Sequence, residues 1–508
     1  MPVFHALKHL HFTRPKLTQH RFLSIWNLFS TPPPDTTPWQ PLFFHPTKRV
    51  PFLDNLNLPL EEEFLVGPAT AAADYFPVRI GALYHAERYQ VVGKLGFGRT
   101  STVWLARDLS AGEYVTLKVF TLRASSPPQS PAAHPQGHGP APPAALCEAA
   151  VLDRLRAVGL ADDPSASHLR GARASFLLPR DDMPGAHRVL VQPPMRESWR
   201  SADTLMHSVL SRHARTAVRA AATGLVHLHE GAHVVHTDIS ASNILLGMPR
   251  TPAAAMQLCD AFVQAELAQP SARKRLAGAP TRLVYQSRKM LCDPPTHDEA
   301  VVADACTDAC LSDFGAARIL GPAPTSAGAG SKVGFDAIPH TMLTHTAQPN
   351  AYRAPEVLLG LPWGFAADVW NLALVAWHMV TGAQLFGARR DRNGAPTTGY
   401  SPRTALVDMI AVLGAPPCEM LVGGRHADYF CGIGGKSVRD GDGVGGRRSE
   451  KDSGELPQPL AVQETGLKGY EHDAFMEWMQ AALRWRPEDR ATAHELLELA
   501  WLTQTKEE

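Results

Sequence analysis

Lys118 stands inside the run Glu113-Tyr-Val-Thr-Leu-Lys-Val-Phe120, which is otherwise dominated by β-branched, aromatic and apolar residues. Such a run reads as a mostly buried strand, and a buried ammonium is costly unless an acid pairs with it. The fold must therefore deliver a carboxylate to this strand. Glu148 is the expected partner, because Leu146–Val158 carries apolar residues at helical spacing. Two further strands are expected upstream, over Tyr89–Lys94 and Ser101–Arg107. They flank Leu95-Gly96-Phe97-Gly98-Arg99-Thr100-Ser101-Thr102-Val103. Glycines between two strands are not the strand-to-helix turn of a dinucleotide fold. They let a hairpin backbone close over phosphates without a side chain in the way, although a glycine hairpin alone is commonly no more than a turn.

Four further segments follow in order. Val235-His236-Thr237-Asp238-Ile239-Ser240-Ala241-Ser242-Asn243 precedes Leu311-Ser312-Asp313-Phe314-Gly315. Tyr352-Arg353-Ala354-Pro355-Glu356 leads to Asp368-Val369-Trp370, and Arg484-Trp-Arg-Pro-Glu-Asp-Arg490 closes the series. Each is short, but this order within one chain is very unlikely by chance. Helices are expected at Arg212–His229, Asp473–Arg484 and Thr492–Leu502, and a short strand at His187–Val191. The chain thus reads as α+β, a small strand-rich part with one main helix followed by a larger helical part.

The bulk properties narrow the class. Lys plus Arg and Asp plus Glu each number 49, so no charge excess marks a nucleic-acid binder. The 7 cysteines are scattered with no Cys-x-x-Cys pair, which disfavours zinc ribbons and disulfide scaffolds. Val369–Val380 is too short and too polar, with Asn371 and His378, to span a bilayer; it reads as a core helix. Residues 1–34 contain no acid and carry Lys8, Arg14, Lys16 and Arg21, the composition of a mitochondrial transit peptide or of an extension without targeting value. Residues 31–60 read as a Pro-rich linker, with structure beginning near Tyr75.

Together these segments resemble a eukaryotic protein kinase over about residues 88–504. Within the CMGC group the chain looks most like the SR-protein kinases in their fungal form. Tyr75-Phe76-Pro77-Val78-Arg79-Ile80-Gly81, Ser101-Thr-Val-Trp-Leu105, His236-Thr237-Asp238 and the stretch Asp260–Ser271 carry that likeness. The resemblance implies a bilobal kinase fold. Residues 1–50 would be leader and linker, 51–87 a preceding segment, 88–195 the N-lobe with an insert at 124–145, and 196–504 the C-lobe. Further inserts would lie at about 250–310, 321–350 and 421–456, and residues 505–508 would form a tail.

The resemblance also implies the roles. Leu95, Gly96, Gly98 and Val103 would cover ATP, with Lys118 on its phosphates held by Glu148. Asn243 and Asp313 would bind Mg²⁺, an ion that prefers oxygen ligands. Asp238 would accept the proton of a substrate hydroxyl. Pro193 C=O and Met195 N–H would hold adenine behind a Gln192 gatekeeper. Glu356 and Arg490 would form a buried ion pair, and Asp368 would brace the catalytic loop. A monomeric serine/threonine kinase of the cytoplasm and nucleus follows, acting on Arg/Ser-rich proteins such as SR-type splicing factors. Asp408, Glu419, Asp428, Asp440 and Asp442 are candidate contacts to a cationic substrate, although scattered solvated acids are the default.

Three positions depart from the pattern. Ser240 stands where a kinase carries a lysine against the γ-phosphate, and Ser242 is no substitute. Thr116 replaces the usual alanine near adenine. Thr237 replaces the arginine that reads activation-loop phosphate, which suggests a constitutively assembled enzyme. Ser240 leaves open a second class of function, an ATP-binding scaffold with little or no phosphotransfer. A small-molecule kinase is disfavoured by the Ala354-Pro355-Glu356 segment.

Overall fold

The computed structural model describes residues 38–44, 52–53, 59–125, 143–180, 184–276, 279–291, 298–321, 347–387, 402–423 and 459–504. The leader, most of the 124–145 insert and most of the 321–350 and 421–456 inserts lie outside the described residues.

Two short helices, α1 (Glu62–Val66) and α2 (Pro68–Asp74), precede strands β1 (Leu83–Tyr84), β2 (Tyr89–Phe97), β3 (Ser101–Asp108) and β4 (Glu113–Phe120). After α3 (Leu122–Ser125) and α4 (Ala144–Ala157) come β5 (Ala174–Pro179) and β6 (Ala186–Gln192). The six strands form one antiparallel sheet in the order β1-β2-β3-β4-β6-β5. Lys118 on β4 sits opposite Val103 on β3 and Leu190 on β6. Beneath it, α4 brings Val151, Leu152 and Leu155 into a core continuous with the larger lobe.

The larger lobe begins with α5 (Trp199–Leu210) and α6 (Ala214–Val226), whose end widens into a π-helical turn at His227–Gly231. The expected helix Arg212–His229 is therefore three pieces, starting with a 3-10 turn at Ser211–His213. Two small hairpin-like pairs frame the cleft: β7 (Val234–Val235) pairs with β12 (Arg318–Ile319), and β8 (Ile244–Leu245) with β11 (Cys310–Leu311). Between β8 and β11 lie α7 (Pro252–Ala268), the hairpin β9 (Arg273–Leu276) and β10 (Ala279–Tyr285), and α8 (Glu299–Thr307). Then follow α9 (Pro355–Leu359), α10 (Phe365–Thr381), α11 (Pro402–Leu413), α12 (Cys418–Gly423) and the closing helices Gly469–Ala482, Ala493–Glu498 and Ala500–Thr503. Helix α10 is buried almost throughout; Asn371 donates its amide to the Tyr352 carbonyl, and His378 Nδ1 meets the Tyr352 hydroxyl at 2.7 Å. Among the described residues no helix is long and apolar enough to cross a membrane.

Two sequence expectations need correction. Structure begins well before Tyr75. Trp39 packs edge-on against Tyr114 at 5.1 Å and under Arg107, while the Gln90 side-chain amide pairs with both backbone groups of Leu42 at 2.8 Å. The stretch about 250–310 is likewise no detachable surplus. Cys259, Phe262 and Val263 of α7 share an apolar core with Val92, Leu105 and Tyr114 of the sheet. Gly93 makes room for this, since a Cβ there would lie 2.4 Å from the Phe262 ring. The hairpin β9–β10 caps the same lobe, with Tyr285 packed edge-on against Trp104.

Candidate active site

Lys118 Nζ donates to Glu148 Oε2 at 2.6 Å and to Asp313 Oδ1 at 2.9 Å. One ammonium thereby ties β4 to α4 and to the segment after β11. Burial works against its charge, but the two carboxylates outweigh that and hold its pKa above the ordinary lysine value. Burial also pushes Asp313 upward, yet Lys118 and His236 pull harder and leave it below the usual carboxylate range. Asp313 sits at φ 66°, a left-handed conformation rare for a non-glycine residue, and accepts the Gly315 N–H within its own turn. The neighbouring Phe314 is wholly buried in the common core and lies edge-on to His236 at 5.5 Å. Arg154 donates to the Gly321 carbonyl at 2.9 Å and Arg318 reaches Cys147 Sγ, so α4 is fastened to this segment at several points.

The catalytic-loop candidates hang from one buried acid. Asp368 accepts the N–H of His236 at 2.6 Å and of Thr237 at 2.8 Å, and pairs with His229 at 3.0 Å. His236 Nδ1 accepts the Asp238 N–H, which leaves Nε2–H to donate to the Ser312 carbonyl at 3.2 Å. The Asn243 amide donates to the Asp238 carbonyl at 2.7 Å and to its Oδ2 at 3.0 Å. Desolvation, reinforced by Asp313 and Asp368, pushes the Asp238 carboxyl up to about 6, against the pull of His236 and Asn243. Thr237, at φ 68°, donates its hydroxyl to the Ala316 carbonyl at 2.9 Å. That bond joins the loop directly to the segment after Asp313.

The nucleotide candidates sit around an open face. A Cβ on Gly96 would meet nothing within 4 Å among the described residues, and on Gly98 only the Ser101 carbonyl at 4.0 Å. Neither glycine has a positive φ. The turn and the packing therefore do not demand glycine there; space for a group approaching the backbone does. Leu95 and Val103 are half-buried while the nearby Val92 and Leu105 are fully buried. Among the described residues, Glu148 Oε1 is buried without a hydrogen-bond partner, and so is the Thr116 hydroxyl. At the hinge, Gln192 is buried, and the Met195 N–H makes no hydrogen bond among the described residues. The Pro193 carbonyl is approached by Arg170 at 3.5 Å, a neighbour that sequence reasoning missed.

Asn243 and Asp313 offer hard oxygens: Asn243 uses its amide nitrogen toward Asp238, which leaves its oxygen for a cation. Among the described residues no three His, Cys, Asp or Glu side chains gather as a metal cage. Mg²⁺ needs none, because it is commonly held by one or two protein oxygens together with phosphates and water. In the larger lobe, Arg490 forks onto Glu356 at 2.7 and 2.6 Å with both side chains buried. Of the candidate acidic contacts, two are described. Asp408 is buried and accepts the Gly387 N–H at 2.8 Å, Glu419 pairs with Arg486, and Asp428, Asp440 and Asp442 lie outside the described residues.

Sequence reasoning also missed a clamp on the glycine hairpin. Lys94 of β2 is completely buried and donates to Glu62 at 2.5 Å, to Glu61 at 2.8 Å and to the Tyr285 carbonyl at 3.0 Å. Tyr75 donates its hydroxyl to the Gly98 carbonyl at 2.8 Å. A cation in an apolar strand was the available signal, the same one that marks Lys118.

Comparison with known proteins returns protein kinases. No family model matches the chain. A serine/threonine protein kinase of Aspergillus fumigatus is 28% identical over 459 residues, covering 90% of this chain and 94% of the relative. The serine/threonine-protein kinase SRPK of Physarum polycephalum is 25% identical over 440 residues, covering 84% and 88%. The human dual specificity tyrosine-phosphorylation-regulated kinase 3 is 28% identical over 167 residues, 31% of this chain and 26% of that one.

Proposed function

Because the chain is a serine/threonine protein kinase of the CMGC group with an SR-protein-kinase-like relationship, we propose that it transfers the γ-phosphoryl group of ATP to serine in Arg/Ser-rich protein segments, with Mg²⁺ as cofactor. The observation that carries this reading is Lys118 held between Glu148 and Asp313, together with Asn243 bonded to Asp238, whose carboxyl feels the Asp313 charge.

Mg-ATP, when bound, supplies the phosphoryl group and the metal charge that offsets its negative oxygens. Gly96 and Gly98 let the hairpin backbone close over the phosphates. Lys118 grips them, and Glu148 keeps the ammonium in place. Asn243 and Asp313 offer the oxygens for the metal. Asp238 orients the serine hydroxyl and takes its proton. Pro193 C=O and Met195 N–H receive the adenine edge. A peptide with Arg-Ser repeats, assayed with Mg-ATP, tests the reading: wild type should form phosphoserine and Asp238→Ala should not. Ser240 favours a second reading, a nucleotide-binding scaffold, and equal background from both proteins would select it.

The enzyme is proposed to act as a monomer in cytoplasm and nucleus. Imaging fusions with and without residues 1–34 tests this against a mitochondrial destination.

A further inference from the structure

We propose that Arg99, at the tip of the glycine hairpin, supplies the γ-phosphate charge that the catalytic loop lacks. The inference rests on the kinase reading and deepens it. Ser240 and Ser242 leave both usual cation positions of the loop neutral. A transition state that spreads negative charge over three phosphoryl oxygens still needs a preorganised donor.

Arg99 lies in the three-residue connection Gly98-Arg99-Thr100 between β2 and β3. It is exposed, and its guanidinium makes no hydrogen bond or ion pair among the described residues. Other cations near the hairpin have partners, Arg123 only at the edge of contact, with Asp74 at 3.9 Å. Lys94 is locked to Glu61 and Glu62, Lys118 to Glu148 and Asp313, and Arg282 to the Tyr75 carbonyl.

The tip that carries Arg99 is held firmly. Gly98 N–H donates to the Ser101 carbonyl at 2.8 Å, and the Gly98 carbonyl accepts the Tyr75 hydroxyl at 2.8 Å. The Tyr75 ring is buried. Arg99 thus projects from a fixed point, which lowers the ordering cost of using it. Gly96 faces Val103, and Val103 faces Lys118. With strands about 4.8 Å apart, the glycine backbone is roughly 10 Å from the lysine strand. That distance is short enough for a phosphate chain gripped by Lys118 to reach the hairpin tip. A planar guanidinium suits bidentate contact with phosphoryl oxygens.

The step itself is unchanged in balance. The serine oxygen forms a bond to the γ-phosphorus, and the bond from that phosphorus to the β–γ bridging oxygen breaks. ADP leaves with the electron pair, and the hydroxyl proton passes to Asp238. Arg99 only neutralises charge and is not consumed.

The test compares full-length wild type, Arg99→Ala, Ser240→Lys and the double variant, reading kcat on an Arg-Ser repeat peptide and ADP affinity. Arg99→Ala should lower kcat about 10²-fold while ADP affinity holds, because ADP lacks the γ-phosphate. Ser240→Lys placed in the Arg99→Ala background should restore most of that loss, which repair of a merely structural defect would not. Wild-type kcat in Arg99→Ala would overturn the proposal and leave the kinase reading standing. So would a loss that Ser240→Lys fails to rescue, or one matched by weaker ADP binding. An inactive wild type made active by Ser240→Lys would overturn it too. Silence from all four proteins would overturn this proposal together with the kinase reading.

Discussion

At the scale of single residues, the rule that a buried cation must find an acid accounts for much of the site. It was legible for Lys118, because Glu148 follows on the next helix, and motif order marked Asp238, Asn243 and Asp313. It was not applied to Lys94, whose partners Glu61 and Glu62 lie in a stretch that reads as the end of a linker and the segment beyond it. Lys118→Ala should abolish peptide phosphorylation while leaving a folded protein, checked by activity beside a thermal melt. Glu148 would then be a buried acid without its counter-charge, so a stability loss of up to about 3–5 kcal/mol is also expected. Thr237 makes a separate prediction. Its hydroxyl already ties the catalytic loop to Ala316, so no phosphate-reading arginine is needed to assemble the two. Phosphatase treatment of the enzyme should leave kcat unchanged; a large fall would sink the idea of a constitutively assembled site.

At the scale of elements, strand positions β2, β3, β4 and β6 followed from composition, because their apolar residues leave little choice. The sequence carries the signals of helix α7. Thr251-Pro252 is a capping signal, and Cys259, Phe262, Val263 and Glu266 recur at helical spacing. What no sequence pattern told was that this face packs on β2 through Gly93. Gly93→Ala should therefore cost about 1–3 kcal/mol by overpacking against Phe262, measured by denaturant unfolding. His187 on β6 gives a pH prediction. It is buried, meets the Phe120 carbonyl at 2.8 Å through Nδ1, and has Nε2 without a hydrogen bond. Burial pushes its pKa below the ordinary 6.5. The folded state thus favours the neutral ring, and this stability is present above 6.5 and lost as pH falls below it. The melting temperature should drop more steeply on acidification for wild type than for His187→Gln. Parallel curves would remove His187 as the cause.

At the scale of the whole molecule, the fold keeps two lobes in register by threading one core from α4 through Phe314 to the helices around α6. The larger lobe is pinned by Arg490 on Glu356, fully buried and bidentate. Glu356→Gln would strip the charge partner from a buried guanidinium and should cost about 3–5 kcal/mol in a denaturant titration. The bilobal plan was legible because its landmarks are spaced along the chain. The attachment of residues 38–44 and of α7 to the small lobe was not, since each depends on surfaces formed by distant strands. The central claim is phosphotransfer from this cleft. Its most direct measurement is label transfer from γ-labelled ATP to an Arg-Ser repeat peptide in Mg²⁺, with Asp238→Ala run alongside as a folded control. Phosphoserine formed by wild type and absent with Asp238→Ala is the predicted result; equal background from two folded proteins would contradict it.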